Sequence, residues 1–311
     1  MSLDRLIEKI EQTQNPTVAG LDPKLDYVPE YIRKKCFEKY GETLKGAAKA
    51  LLEFNKGLID ALYDIVPAVK PQAAYYEMYG PAGVKTLYKT QEYARSKGMY
   101  VITDGKRNDI GTTMEAYATA HLGKVKIGGS EFEPFLGDAL TVNGYLGSDG
   151  IKPLLKVCAE NDKGIFVLAK TSNPSSGELQ DRLIDGEPIY EVMGKMCEKW
   201  GVELPGVYGY SGVGAVVGAT YPEQIKTLRK LLPNTFFLIP GYGAQGATAA
   251  DIAGAFDENG LGGIVNSSRG IMCAYQKQKC SEHEFAEAAR REAIRMRDEI
   301  MAQVGKIVIN G

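Results

Sequence analysis

Eight times along the chain, a short apolar run, rich in β-branched residues, gives way to a longer stretch with helical spacing. The short runs fall at 17–21, 65–69, 99–103, 139–142, 164–169, 214–217, 235–239 and 263–266. Between and after them, 44–62, 83–96, 112–122, 149–160, 188–200, 222–231, 249–256 and 285–301 read as helices. In 44–62, for instance, Leu44, Ala48, Leu51, Leu52, Leu58, Ile59 and Leu62 share one helical face. Such alternation implies a parallel sheet with right-handed crossovers. Eight units fit a (β/α)₈ TIM barrel, an α/β fold of about 250 residues. The chain has 311 residues. The surplus is expected as helical and loop insertions near 30–45 and 173–187. No Pro- or Ser-rich linker divides the sequence, so 1–311 reads as a single barrel domain. A doubly wound open sheet would give the same alternation, because closure leaves no mark in sequence.

The charge balance narrows the partners. There are 37 basic and 39 acidic residues, a formal net charge of −2. That gives no electrostatic footprint for nucleic acid, yet leaves room for a small anionic substrate at a local positive site. No apolar run approaches the roughly 20 residues of a membrane span. The N-terminus lacks the apolar core of a signal peptide, and a cytoplasmic protein is expected. The five cysteines form no C-x-x-C pair and read as free thiols in a reducing compartment. Two distant histidines offer no metal-binding pattern, and no metal site is expected. Glycine is the deviant count, 36 residues, above the average of roughly 7%.

In a parallel barrel the site forms at the C-terminal ends of the strands. The residues just after the eight runs are therefore the candidates. The first four runs give Asp22, Lys70, Asp104 with Lys106 and Asp109, and Asn143. The fifth gives Lys170-Thr171-Ser172, the seventh Gly241-Tyr-Gly243-Ala-Gln245-Gly, and the eighth Ser267-Ser268-Arg269-Gly270.

The sharpest feature is Asp104-Gly-Lys106-Arg-Asn-Asp109. On a strand, positions i and i+2 share a face, so Asp104 and Lys106 would both enter the barrel mouth beside Lys70. Ammoniums and carboxylates held in a half-dry site must alternate and pair. A salt-bridge cluster that merely closes the barrel satisfies the same string. The glycine-rich seventh ending and Arg269 after the eighth fit a phosphate site, which such barrels often build from these two loops. A flexible turn and a solvated arginine are the alternative for either loop alone. Tyr75, Tyr76 and Tyr79 are expected to pack.

With these residues assembled, the chain resembles the orotidine 5′-monophosphate decarboxylase family, in its longer-chain branch. The resemblance runs from Gly20-Leu-Asp22-Pro to Ser268-Arg269-Gly270 and includes Ala68-Val-Lys70, Thr103-Asp104-Gly-Lys106-Arg-Asn-Asp109-Ile110, Thr171-Ser172-Asn-Pro174 and Pro240-Gly-Tyr-Gly-Ala-Gln245-Gly. It implies a cofactor-free, metal-free barrel acting as a homodimer and converting orotidine 5′-monophosphate to UMP in pyrimidine biosynthesis. It implies that Lys106 protonates C6 after CO₂ loss, that Asp104 sits by the departing carboxylate, and that Lys70 pairs with Asp104 and the ribose. Asp109 and Thr113 would reach into the partner's site. Asp22 would bind ribose, Ser172 the pyrimidine, and Gln245 and Arg269, with Gly241, Gly243 and Ser268, the 5′-phosphate. Asn143 stands where many relatives carry His and is assigned no role. A Mg²⁺-dependent sugar-phosphate decarboxylase or aldolase on the same barrel is the competing activity.

Overall fold

A computed structural model describes residues 2–243 and 246–309. Among them, eight parallel strands close into a barrel. They are β1 (Thr17–Leu21), β2 (Ala68–Pro71), β3 (Tyr100–Arg107) and β4 (Ala139–Val142). The second half is β5 (Gly164–Lys170), β6 (Val213–Val217), β7 (Phe237–Ile239) and β8 (Gly263–Ser267). The strands follow one another around the barrel in chain order. Thr17 opposite Val265 and Val18 opposite Ala68 make the closing register, which removes the open-sheet alternative.

These strands are covered on both faces, so they read as nearly continuous apolar runs. The apolar staves lie between barrel and helices, where Leu140, Ile165, Val213 and Phe237 are fully buried. The lower interior is apolar too. Tyr100, Phe166 and Phe236 fill it. Helix Ser2–Thr13 stops its N-terminal mouth with Leu3, Leu6, Ile7 and Ile10, spaced along one face and at most 1% exposed. Arg5 ties that plug down by hydrogen bonds to Asp138 and Asp162. The opposite mouth is where Lys70, Asp104 and Asn266 are held. With the N-terminal mouth plugged, the site has the opposite end to occupy.

Both insertions belong to the barrel's surroundings. Helix Glu30–Tyr40 sends Ile32 and Cys36 into the same core as Leu51 and Ala19. Segment 173–187 holds a 3₁₀ turn, Pro174–Glu178, and a small hairpin pairing Leu183–Ile184 with Glu187–Pro188. A second hairpin, Val125–Ile127 with Ser130–Phe132, was not expected.

Three of the boundaries that differ from the sequence expectation have clear local reasons. β2 begins at Ala68 rather than 65, directly after Pro67, which has no N–H to donate but whose carbonyl accepts from Tyr100 N. β7 begins at Phe237 because Thr235 N is turned back to Leu232 O. The expected helix 249–256 is an α turn, Ala249–Ile252, that tightens into a 3₁₀ turn, Ala253–Ala255. No described helix is long and apolar enough to cross a membrane.

Candidate active site

β3 supplies two of the charges at the open mouth, but not by simple alternation. Thr103 pairs with Leu140 and Arg107 with Val142, so Asp104-Gly105-Lys106 stands opposite Thr141 alone. The chain bulges there, and Lys106 takes φ +48°, in the left-handed region. Bulges next to active sites commonly re-aim a side chain. Here the result is that Lys106 Nζ lies 2.6 Å from Asp104 Oδ1.

The carboxylate of Asp104 is the hub. From β2, Lys70 Nζ donates to Oδ2 at 2.7 Å. From β4, the Thr141 hydroxyl donates to Oδ1 at 2.8 Å. Asp104 and Lys70 are buried, whereas the Lys106 side chain is 46% exposed. One ammonium is sealed in and the other faces the opening. Burial by itself would raise the Asp104 carboxyl; the Lys70 and Lys106 ammoniums override it and hold the group well below the usual carboxylate range. Burial likewise disfavours charge on Lys70, but Asp104 and then Asp22 outweigh it and keep that ammonium charged.

Two cavities meet at the Lys70–Asp104 pair. One, of about 420 Å³, is lined by Asp22, Lys24, Tyr75, Tyr242, Ser268 and Arg269, with Gly241 at its edge. Asp22 Oδ1 is buried without a hydrogen-bond partner, an acceptor left open beside this cavity. Arg269 is exposed, and its side chain makes no ion pair or hydrogen bond among the described residues. Gly20 is required here: a Cβ would meet Ser268 Oγ at 1.9 Å. The second cavity, of about 440 Å³, contains Lys106, Thr141, Ser172 and Gln180. Gly218 lets the Ser172 backbone approach, since a Cβ would stand 2.8 Å from Ser172 Cα. A polar cavity carrying a guanidinium that has no partner among the described residues and a more apolar one suit the two ends of a nucleotide.

The expected residues thus divide. Lys70, Asp104 and Lys106 converge, and Asp22, Ser172, Gly241, Ser268 and Arg269 line the adjoining space. Gly243 lines a neighbouring cavity that shares Tyr242 and Arg269. Asp109 does not join the array within its own chain: it makes no ion pair among the described residues, and Oδ1 accepts from Ile110 N. Thr113 is exposed in the first turn of helix Gly111–Leu122. Gln245 lies outside the described residues. Lys170 turns away from the cavities and pairs with Asp181, anchoring the 173–187 insertion at 2.6 Å. Asn143 Oδ1 accepts from Tyr145 N.

Sequence reasoning missed three residues. Thr141 was hidden in an apolar run. Gln180, inside the insertion, bonds Thr171 N and Oγ1 and so braces the strand end before Ser172. Tyr242, given no role within the seventh ending, is buried, with its hydroxyl donated to Glu299 at 2.7 Å.

Comparison with known proteins agrees with this geometry. Residues 42–282 match the model of the orotidine 5′-phosphate decarboxylase / HUMPS family. The orotidine 5′-phosphate decarboxylase of Caldicellulosiruptor bescii is 43% identical over 90% of this chain and 92% of its own. That of Rhodopirellula baltica is 44% identical over 94% of this chain and 96% of its own. The structure of Leishmania donovani OMP decarboxylase superposes with a TM-score of 0.74 at 28% identity, covering 97% of this chain and 98% of that one. Likeness at this level, sustained over nearly the whole length of both partners, settles the kinship: the chain belongs to the orotidine 5′-phosphate decarboxylase / HUMPS family.

Proposed function

We propose that the chain performs its family's decarboxylation, orotidine 5′-monophosphate to UMP for pyrimidine synthesis, at the junction of the two cavities. The observation that carries this is Asp104 gripped by two ammoniums, one of them open to the cavity. The C6–carboxylate bond breaks, its electron pair stays on C6, and CO₂ departs. Lys106 stabilises that charge electrostatically and then gives C6 a proton, to be reprotonated from solvent. Asp104 sits by the leaving carboxylate. Lys70 holds Asp104 in place and reaches the ribose, which Asp22 also binds. Ser172 meets the pyrimidine. Arg269, Ser268, Gly241 and Gly243 hold the phosphate, with Gln245 from the same loop. The step balances in atoms and electrons among substrate, Lys106 and water. A Mg²⁺-dependent reaction is disfavoured because both Asp104 oxygens are already engaged by cations.

The working unit is a homodimer of one-domain subunits. Supporting this, Ile110, next to Asp109 in sequence, and Tyr145 and Leu146, just after β4, are exposed apolar residues, and Asp109 makes no ion pair among the described residues. Asp109 and Thr113 would complete the partner's site. The protein would work in the cytoplasm, in keeping with five free cysteines. The test is turnover of orotidine 5′-monophosphate followed by ultraviolet absorbance in EDTA. Conversion to UMP is expected. Activity on sugar phosphates alone, restored by Mg²⁺, would overturn the reading.

A further inference from the structure

We propose that Thr141 is a positioning residue for the proton donor, its hydroxyl clamping the backbone of Lys106 to the carboxylate of Asp104. The inference rests on the role of Lys106 given above. The bulge in β3 takes the Lys106 amide out of the regular ladder. A buried N–H left without an acceptor is costly. Here the Lys106 amide donates to Thr141 Oγ1 at 3.0 Å. The same hydroxyl donates its one hydrogen to Asp104 Oδ1 at 2.8 Å. Because that oxygen must accept from the amide, its hydrogen has a single direction, and the clamp has a sense. Thr141 is 1% exposed, so its hydroxyl has little access to bulk water.

The consequence lies in the lysine. Its φ of +48° is unfavourable for a residue with a Cβ and persists only where neighbours enforce it. Thr141 enforces it from the barrel interior. Arg107 enforces it from outside: Nη1 donates to Gly105 O at 2.7 Å, while Nη2 pairs with Glu77. With one ammonium hydrogen on Asp104, two remain to donate, and Lys106 lines the half-open cavity. Releasing the backbone would keep the ammonium but lose its aim.

The test compares Thr141→Val, which keeps the shape and removes both bonds, with Thr141→Ser, which keeps the hydroxyl. For Thr141→Val, kcat should fall by about 30-fold or more, since a misplacement near 1 Å can cost about a hundredfold. Its affinity for UMP should stay within about threefold, because the clamp does not touch ligand. Thr141→Ser should recover most of kcat. Thr141→Ala, which introduces no new atoms, carries the same expectation as Thr141→Val should that variant not fold. Wild-type kcat in Thr141→Val, equal losses in Val and Ser, or loss of UMP affinity in step with kcat would each overturn the proposal. If the wild type itself leaves orotidine 5′-monophosphate unchanged, the functional reading fails instead. A crystal structure of Thr141→Val then decides the clamp separately. Lys106 leaving the left-handed region supports it; an unmoved Lys106 refutes it.

Discussion

Lys106 Nζ lies 2.6 Å from Oδ1 of Asp104, although only Gly105 separates the two residues and β3 abandons its alternation between them. On a regular strand these side chains would stand parallel and well apart. The bulge folds one toward the other. It makes an ammonium and its counter-carboxylate a compact unit, with one face sealed by Lys70 and the other open.

Removing the open member should abolish chemistry without abolishing binding. For Lys106→Ala, kcat is expected to fall by at least about 10³-fold, since proton delivery and electrostatic stabilisation are lost together. UMP should still bind within about tenfold, because the residues proposed to hold phosphate and ribose, Arg269 and Asp22, line the other cavity. Turnover by ultraviolet absorbance and UMP titration by calorimetry give the two numbers. Near-wild-type kcat would remove Lys106 as the donor.

Asp104→Asn tests the hub through stability. The substitution leaves Lys70 buried as an unmatched charge, and breaking such a pair costs about 3–5 kcal/mol. Asp22 still faces Lys70 and places the expectation at the low end of that range. The sign with pH follows from the shifts. The folded Asp104 carboxyl titrates below its unfolded value of about 3.9. Its contribution is therefore full above about pH 4 and lost as pH falls toward the folded value. Lys70, raised above about 10.4, contributes fully below that value and loses it as pH rises through the folded one. The gap in unfolding free energy between wild type and Asp104→Asn should be flat from about pH 5 to 9 and narrow below about pH 4. Urea melts across pH measure it; a gap that widens in acid would contradict the assignment.

The barrel was legible because its signal is repetitive. Helix Leu44–Leu62, helix Pro222–Leu231 and strand Ala139–Val142 fall where periodicity put them. Lys70, Asp104 and Lys106 were legible because charge at the end of an apolar run is conspicuous. What escaped depends on departures from periodicity. A bulge leaves no signature in Asp-Gly-Lys, so the route by which Lys106 meets Asp104 was invisible. Thr141 is β-branched and passes for a strand former, its hydroxyl mattering only because the bulge lies opposite it. Lys170 looked like a site residue until Asp181, eleven residues on, was found against it. Pairings across loops are tertiary facts.

Arg269 offers a test of which cavity takes the phosphate. Its guanidinium has no partner among the described residues and lines the cavity holding Asp22. Charge-assisted hydrogen bonds contribute about 1.5–3 kcal/mol. Arg269→Ala should therefore weaken UMP by about 10- to 150-fold, while uridine changes by less than about threefold. Inhibition constants for the two ligands measured side by side check this. Equal losses would mean that Arg269 acts on the fold or the ribose rather than the phosphate.

The proposed sharing of the site between two subunits can be tested without a structure of a dimer. Asp109 is half-buried, makes no ion pair among the described residues and precedes Gly111, whose φ of +53° turns the chain into helix Gly111–Leu122. Ile110, beside it, is 52% exposed. A twofold dimer presents the same patch from both subunits, so an Asp109 that leaves one site enters the other. Lys106→Ala and Asp109→Ala homodimers should each be nearly inactive. In a mixed dimer, the site built on the Asp109→Ala subunit keeps its own Lys106 and receives an intact Asp109 from the partner. The other site lacks both. Random exchange makes half of the dimers mixed, each with one complete site of two, so the mixture should regain about a quarter of wild-type activity. Exchange is verified by mass-tagged subunits. Silence in a mixture shown to have exchanged would mean that Asp109 serves its own chain.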